Sequence, residues 1–343
     1  GRLLHIRAAE SLEERALAAE SARAETENGN PEARCAQEPC FHIRSLRRDP
    51  PGVARVKEGM AASWCLAILL LPQSDRIDAF YVGHSLESDI PDMVMALAGP
   101  RFRFAEQNIP GAPLRWQWEE ATRRKAQFEP QYQGYYSDRI NAETDVLVLI
   151  DSVPRGEEPS LLESIDYTAR FVEFARKRNP SVRVFYYEPW HHLTSGTSKR
   201  YEHDKASPSR DLAWRPRLQA DRPKWDRVVA EVNRRSPGQV PVRLIPAGSK
   251  LGELDDAIRA GKVPGLTKID QVFSDEIHLS PLGKYFVACV HFKSIFGESP
   301  VGKPFDIKDR WARPYWDRAD WAGNTWKKPA ANTVRALQEI AAR

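Results

Sequence analysis

The chain is poor in the features that announce a metal, a nucleotide or a nucleic acid. Of its 343 residues only four are cysteine, at positions 35, 40, 65 and 289. Cys35 and Cys40 lie five apart in a polar stretch, and no second pair stands at zinc-ligand spacing. A local disulfide or two free thiols therefore suit them better than a metal, and Cys289 reads as helix core. Charge of one sign is also scarce: 51 basic residues face 47 acidic ones, for a net charge of +4. No basic stripe with interleaved aromatics appears, so nothing calls for nucleic acid. Glycine pairs such as "GKVPG" fit no phosphate loop, which sets nucleotides aside. There is no internal repeat and no low-complexity tract. The apolar run Ala61–Leu71 is too short to span a bilayer.

What the chain does have is enough apolar residue, 41%, to bury a sizeable core, and length for two average domains or one large α/β domain. Ten tryptophans exceed the usual share and would serve either as core or as flat surfaces for sugar rings. Residues 1–59 differ from the rest. They are rich in Ala, Glu and Arg, with little apolar surface to bury, and read as a poorly ordered extension, consistent with a start assigned too far upstream. The segment 60–78, with Arg55 and Lys57 just before its apolar run, suits the core of an export signal. That predicts a secreted or periplasmic protein with no stable membrane insertion once mature. The competing reading is a buried element of a cytoplasmic one.

From residue 79 strand and helix patterns alternate. β-rich apolar runs fall at Ala79–Val82, Arg101–Ala105, Asp145–Ile150, Val182–Tyr187 and Val242–Pro246. Helical patterns lie between them at Ile90–Ala98, about 160–178, Pro223–Arg235 and Gly252–Ala260, with a last one at Pro281–Phe296. Asp89 is expected to cap the first of these, and Ser280 with Pro281 forms a cap and first-turn pair for the last. Such alternation predicts a three-layer α/β/α sandwich with a parallel sheet of about five strands, over residues 79–306. Residues 191–222 are polar and read as a long excursion, a lid or a substrate-binding insertion. Beyond 307 a tail with Trp311, Trp316, Trp321 and Trp326 is expected to wrap the outside before a helix near 331–342.

The chemistry begins at "FYVGHSLESD". Gly83 breaks a buried strand, and Ser85 follows where a helix is about to start. A hydroxyl there is exposed, and the helix N-terminus favours nearby negative charge. A nucleophilic serine needs a base, and the base an orienting acid. "FSDEIHLSPLGKYF" offers both. Asp275 precedes His278 by three residues, so its carboxylate can hold Nδ1–H while Nε2 faces outward.

These two segments resemble the first and last blocks of the SGNH (GDSL-type) hydrolase superfamily, over about 79–300. The resemblance implies a flavodoxin-like sheet, a serine esterase activity without a cofactor, and roles residue by residue. Ser85 would be the nucleophile, His278 the general base and Asp275 its acid. Gly111, in "NIPGAPLRW", matches the second-block glycine whose N–H binds the oxyanion, and the Ser85 amide would be a second donor. Two positions depart from the pattern. His84 stands where an aspartate is usual, and the third block, "DVLVLIDSVP", presents Asp151 and Ser152 in place of an asparagine. Asp151 cannot donate unless protonated, so Ser152, or Asn108 from the second block, would supply the third donor.

Further candidates line the expected cleft. In "YYEPWHHL", Glu188, Trp190, His191 and His192 end the fourth strand, and Trp190 and His191 suit substrate contacts. Trp116 and Trp118, two apart on an extended segment, would share a face, either as a stacking platform or packed in the core. A metal would have to use His191, His192, His203 and Asp204, but adjacent histidines in an extended chain point oppositely, so no metal is expected. The substrate expected is a small-molecule or polysaccharide ester, such as an O-acetyl group on a carbohydrate. The alternatives are an O-acyltransferase with the same three residues, or a non-catalytic carbohydrate-binding protein on the same fold.

Overall fold

In a computed structural model of the chain the described residues are 76–119, 134–201, 204, 206–319 and 323–343. The expected extension, all but the last three residues of the segment 60–78, and Cys35, Cys40 and Cys65 lie outside them. So do His203 and Trp321. The described residues belong to one compact unit, Leu69–Arg343.

Five parallel strands form the sheet: β1 (Ile77–Gly83), β2 (Phe102–Asn108), β3 (Val146–Leu149), β4 (Arg183–Tyr187) and β5 (Arg243–Ile245). Their order is β2-β1-β3-β4-β5. Pairing already starts at Ile77↔Phe102, so the last two residues of the segment 60–78 belong to the sheet. Period-2 alternation sends each strand into two cores. Ala79 and Tyr81, Val146 and Val148, and Phe185 and Tyr187 enter one. Phe80 and Val82, Leu147 and Leu149, and Val184 and Tyr186 enter the other. Strands buried on both faces carry continuous apolar runs, which is why they were readable from the sequence.

Helices cover both faces. On the first side lie α1 (Ile90–Ala98), α6 (Ala247–Arg259), α7 (Pro281–Phe296) and α8 (Ala331–Ala342). On the second lie α2 (Leu114–Glu119), the one-turn α3 (Tyr136–Arg139) and α4 (Glu158–Arg178). The helix α5 (Trp214–Arg235) contributes Trp214 and Leu218 to the first core and Trp225, Val228 and Val232 to the second. It starts nine residues earlier than the sequence pattern suggests, so the excursion after β4 ends at Ala213. None of the described helices is long and apolar enough to cross a membrane.

The tail is fastened by charge as well as by packing. Arg310, 4% exposed in its side chain, lies 2.6 Å from Asp92 on α1 and 2.7 Å from Glu106 on β2. Trp316 is buried and donates its indole N–H to the carbonyl of Phe305, whereas Trp311 stands nearly half exposed. Cys289 is buried in α7, and burial pushes its thiol pKa up to about 12.

In this strand order the connections leaving β1 and β3 run in opposite directions. The carboxyl ends of those two strands are therefore the topological switch point, the place where open α/β sheets bind ligands. Ser85 stands two residues past the end of β1, and Asp151 two past the end of β3.

Candidate active site

The serine's turn is compact. Glu87 N–H donates to the His84 carbonyl, and Ile90 N–H to that of Glu87. Gly83 is required by close approach, since a Cβ there would fall 1.8 Å from Glu87 Oε2 and 2.6 Å from Ile150 Cγ2. Asp89, expected as the cap of α1, does not cap it. Its backbone is left-handed (φ 68°) and its side chain makes no capping bond. The carboxylate meets Lys284 instead, at 2.6 Å.

The histidine's turn is closed by an antiparallel bridge between Phe273 and Leu279 and by a Ser274 N–H bond to the His278 carbonyl. Ser280 caps α7 as expected, accepting from the Gly283 amide. Inside the turn Asp275 Oδ1 accepts the amides of Ile277 (2.8 Å) and His278 (2.6 Å), while Oδ2 lies 2.8 Å from His278 Nδ1. Burial opposes ionisation of Asp275, but the bonds from the His278 ring and these two amides outweigh it and bring its pKa down to about 2. The far ring nitrogen, Nε2, lies 3.0 Å from Ser85 Oγ. The three residues singled out from the sequence are thus joined in one hydrogen-bonded line, with serine and histidine half-buried. Because an ionised Asp275 accepts from Nδ1–H, Nε2 carries the lone pair that accepts from the serine hydroxyl.

The two departures from the family pattern prove to be connected. His84 is buried, and burial lowers its pKa, so the ring is neutral at pH 7. Its Nε2 lies 3.1 Å from the Asp151 carbonyl and its Nδ1 takes the Leu86 amide at 3.4 Å, which fixes Nε2–H as donor. His84 therefore ties the first loop to the third. Asp151, 1% exposed, accepts from the amides of Leu114 (3.0 Å) and Ser152 (2.8 Å) and from the Ser164 hydroxyl (2.6 Å). It is a hub joining β3, α2 and α4, not a donor. The Ser152 amide is spent on it.

Asn108 donates to the His84 carbonyl (3.1 Å) and to Ser88 Oγ (3.4 Å), so its amide group braces the serine's turn. Gly111 has φ +69°, a conformation that favours glycine, and no atom lies within 4 Å of where a Cβ would stand. Its loop is bonded to the end of β1 through Ile109 N–H to the Gly83 carbonyl (3.0 Å).

The aromatic candidates fare differently. Trp190 is fully buried and His191 nearly so, with Nε2 2.8 Å from Asp221, so neither lines a cleft. Trp116 and Trp118 sit on the helix α2, not on an extended segment. Residues two apart on a helix lie on nearly opposite sides, so they make no common platform. Trp118 stacks on Tyr136 at 4.8 Å in the core, while Trp116 is 41% exposed. His192, one of the four residues expected to line the cleft, stacks on Tyr201 at 4.5 Å; Tyr201 is 38% exposed. Burial lowers the pKa of His192, and the charge on Asp275 opposes this. Glu188 is buried behind β4 and accepts from Ser249.

No protein-family model matches the chain. No curated protein matches it significantly in sequence. Solved structures do. A DUF4886 family protein from Bacteroides uniformis superposes with a TM-score of 0.50 at 13% identity, over 78% of this chain and 93% of its own. A putative GDSL-like lipase from Parabacteroides merdae does so at 0.41 and 13% identity, over 64% and 95%. A carbohydrate esterase family 3 protein from Talaromyces cellulolyticus does so at 0.38 and 12% identity, over 64% and 97%. The likeness shows the fold alone, an α/β sandwich on a five-stranded parallel sheet.

Proposed function

From an SGNH-hydrolase-like fold with a serine, a histidine and an aspartate in line at its switch point, we propose that the protein is a serine ester hydrolase. The observation that carries this reading is the 3.0 Å approach of His278 Nε2 to Ser85 Oγ, with Asp275 2.8 Å behind on Nδ1. Ser85 Oγ attacks the ester carbonyl carbon as His278 Nε2 takes its proton. The C–O bond to the alcohol then breaks, His278 returns the proton to the leaving oxygen, and an acyl-serine remains. Water, deprotonated by the same nitrogen, attacks the acyl carbon, and Ser85 leaves with the proton back on Oγ. Asp275 keeps Nδ1–H aimed and stabilises the imidazolium in both halves. The amides of Ser85 and Gly111 receive the developing oxyanion, where one donor is worth about 3 kcal/mol of barrier.

A carbohydrate ester no longer draws support from Trp190, His191 or Trp118, which are buried or packed in the core. The reading is therefore ester hydrolysis, with the acyl group and alcohol open. The test is fluorophosphonate labelling with mass-spectrometric mapping, alongside p-nitrophenyl acetate hydrolysis. An adduct on Ser85 is expected in the wild type, none in Ser85→Ala and almost none in His278→Ala. A folded wild type as inert as Ser85→Ala in both assays, yet retaining polysaccharide binding, would make this a binding protein instead. Transfer to a polysaccharide hydroxyl outpacing hydrolysis would make it an acyltransferase.

A further inference from the structure

Trp190, three residues past the end of β4, is fully buried, yet its indole N–H is bonded outside its own segment. Nε1 donates to the carbonyl of Ile277 at 2.7 Å, and three residues on the Leu193 amide donates to the carbonyl of Glu276 at 2.8 Å. Glu276 and Ile277 are the two residues between Asp275 and His278. Both carbonyls of that spacer are therefore held by one short segment after β4. From inside the turn, Asp275 Oδ1 holds the amides of Ile277 and His278. The peptide planes are gripped from both sides, N–H inward and C=O outward. A rotation that would swing His278 off Ser85 has to break these bonds.

The gripping segment is itself anchored. Trp214 on α5 donates to the His191 carbonyl at 2.9 Å, and His191 Nε2 lies 2.8 Å from the buried Asp221. On the other side Glu188 accepts the Ser249 amide and hydroxyl at the start of α6. The turn carrying the histidine is thus referenced to two helices of the scaffold.

We infer that Trp190 is a positioning residue: its indole N–H, together with the Leu193 amide, sets the aim of His278 at Ser85. The inference rests on the reading of Ser85 and His278 as the reacting pair. Misplacing a base by an ångström can cost about a hundredfold in rate, while the bond lost is a single one at a partly buried carbonyl. Removing the N–H is therefore expected to act on turnover and to spare the fold.

The decisive replacement is β-(3-benzothienyl)alanine at position 190, which puts sulfur where Nε1–H stood and keeps the ring's shape. Trp190→Phe is its encoded counterpart. The expected result is a fall in kcat for p-nitrophenyl acetate of about ten- to a hundredfold, KM within about twofold, and a circular dichroism spectrum like the wild type's. The proton resonance of His278 Nδ1–H, read by NMR in resting protein, is expected to broaden into exchange. Unchanged kcat with a sharp resonance would overturn the inference, as would a rise in KM at constant kcat, which would make Trp190 a substrate contact. A wild type without turnover would sink the hydrolase reading, and the resonance would still decide whether Trp190 holds the histidine.

Discussion

Lys284 reaches from the first turn of α7 to Asp89, four residues past the serine, and closes a 2.6 Å ion pair between stretches of chain 195 positions apart. His278 lies six residues before this lysine. The pair therefore spans the same two loops that must meet for Nε2 to touch Oγ. It also explains why Asp89 is not a helix cap: a left-handed backbone turns its carboxylate away from α1 and toward α7. The larger share of the convergence is apolar, through Ile90, Met93 and Val94 of α1 and Phe286, Val287 and Val290 of α7 in one core.

Replacement of Lys284 by Met should accordingly be mild. The pair is partly exposed, 16% and 32% by side chain, and such pairs contribute about 0.5–1 kcal/mol. A double-mutant cycle with Asp89→Asn, read by urea unfolding, should return a coupling of that size, with esterase activity within about threefold. A coupling of several kcal/mol would mean that charge, not packing, joins the loops.

Asp275→Asn should be severe for turnover and light for folding. An amide at this position has to present its N–H₂ or its oxygen to several donors at once, and it no longer stabilises the imidazolium. The loss in kcat is expected to be about 10³–10⁴-fold with little change in KM, measured on p-nitrophenyl acetate. A loss under tenfold would show that His278 is held and balanced by something else.

The parts of this site readable in the sequence are those made by neighbours in the chain. Asp275 and His278 share a seven-residue turn, and Ser85 follows a buried strand, so spacing singled out all three as candidates, and the resemblance supplied their roles. The start of α5 escaped because Trp214–Arg222 carries a proline and three arginines and looks like loop. Its helix is held by Trp214 and Leu218 in the core and by Arg217 paired with Asp204, contacts that local propensity does not see. Trp190 was misassigned for the same reason. Its ring sits at the carboxyl edge as expected, but its partner is a carbonyl 87 positions away. Asp151 was recognised as unable to donate, while its role as a hub depends on Leu114 and Ser164, which only the fold brings near.

Asp151→Ala should destabilise the whole domain. It would strand the amides of Leu114 and Ser152, leave the Ser164 hydroxyl only the Ser160 carbonyl, and take from Arg155, 3.5 Å away, one of its two carboxylate neighbours. The cost is expected at about 3–5 kcal/mol, a fall in Tm of roughly 10 °C for a domain of this size. Asp151→Asn should fall between the two, since it keeps the shape and some acceptance. A melting curve unchanged in the alanine variant would remove Asp151 from the scaffold.

Glu188 gives the fold a specific pH dependence. Burial is the largest influence on it and pushes its pKa from 4.5 up to about 6, against the Ser249 hydrogen bonds and the charge of Arg222, which favour ionisation. The native state thus holds this proton more tightly than the unfolded chain does. Below pH 4.5 both states are protonated and the group is neutral in effect. Between 4.5 and about 6 the unfolded chain ionises first, so the contribution to stability falls as pH rises, by about 2 kcal/mol in all, and is flat above. Glu188→Gln cannot ionise. Its Tm relative to the wild type should therefore climb across that window and level off near pH 7, measured by circular dichroism melts from pH 4 to 8. Other titrating groups cancel in the difference. If the two Tm curves run parallel, Glu188 keeps an ordinary carboxyl pKa, and its burial imposes no electrostatic cost.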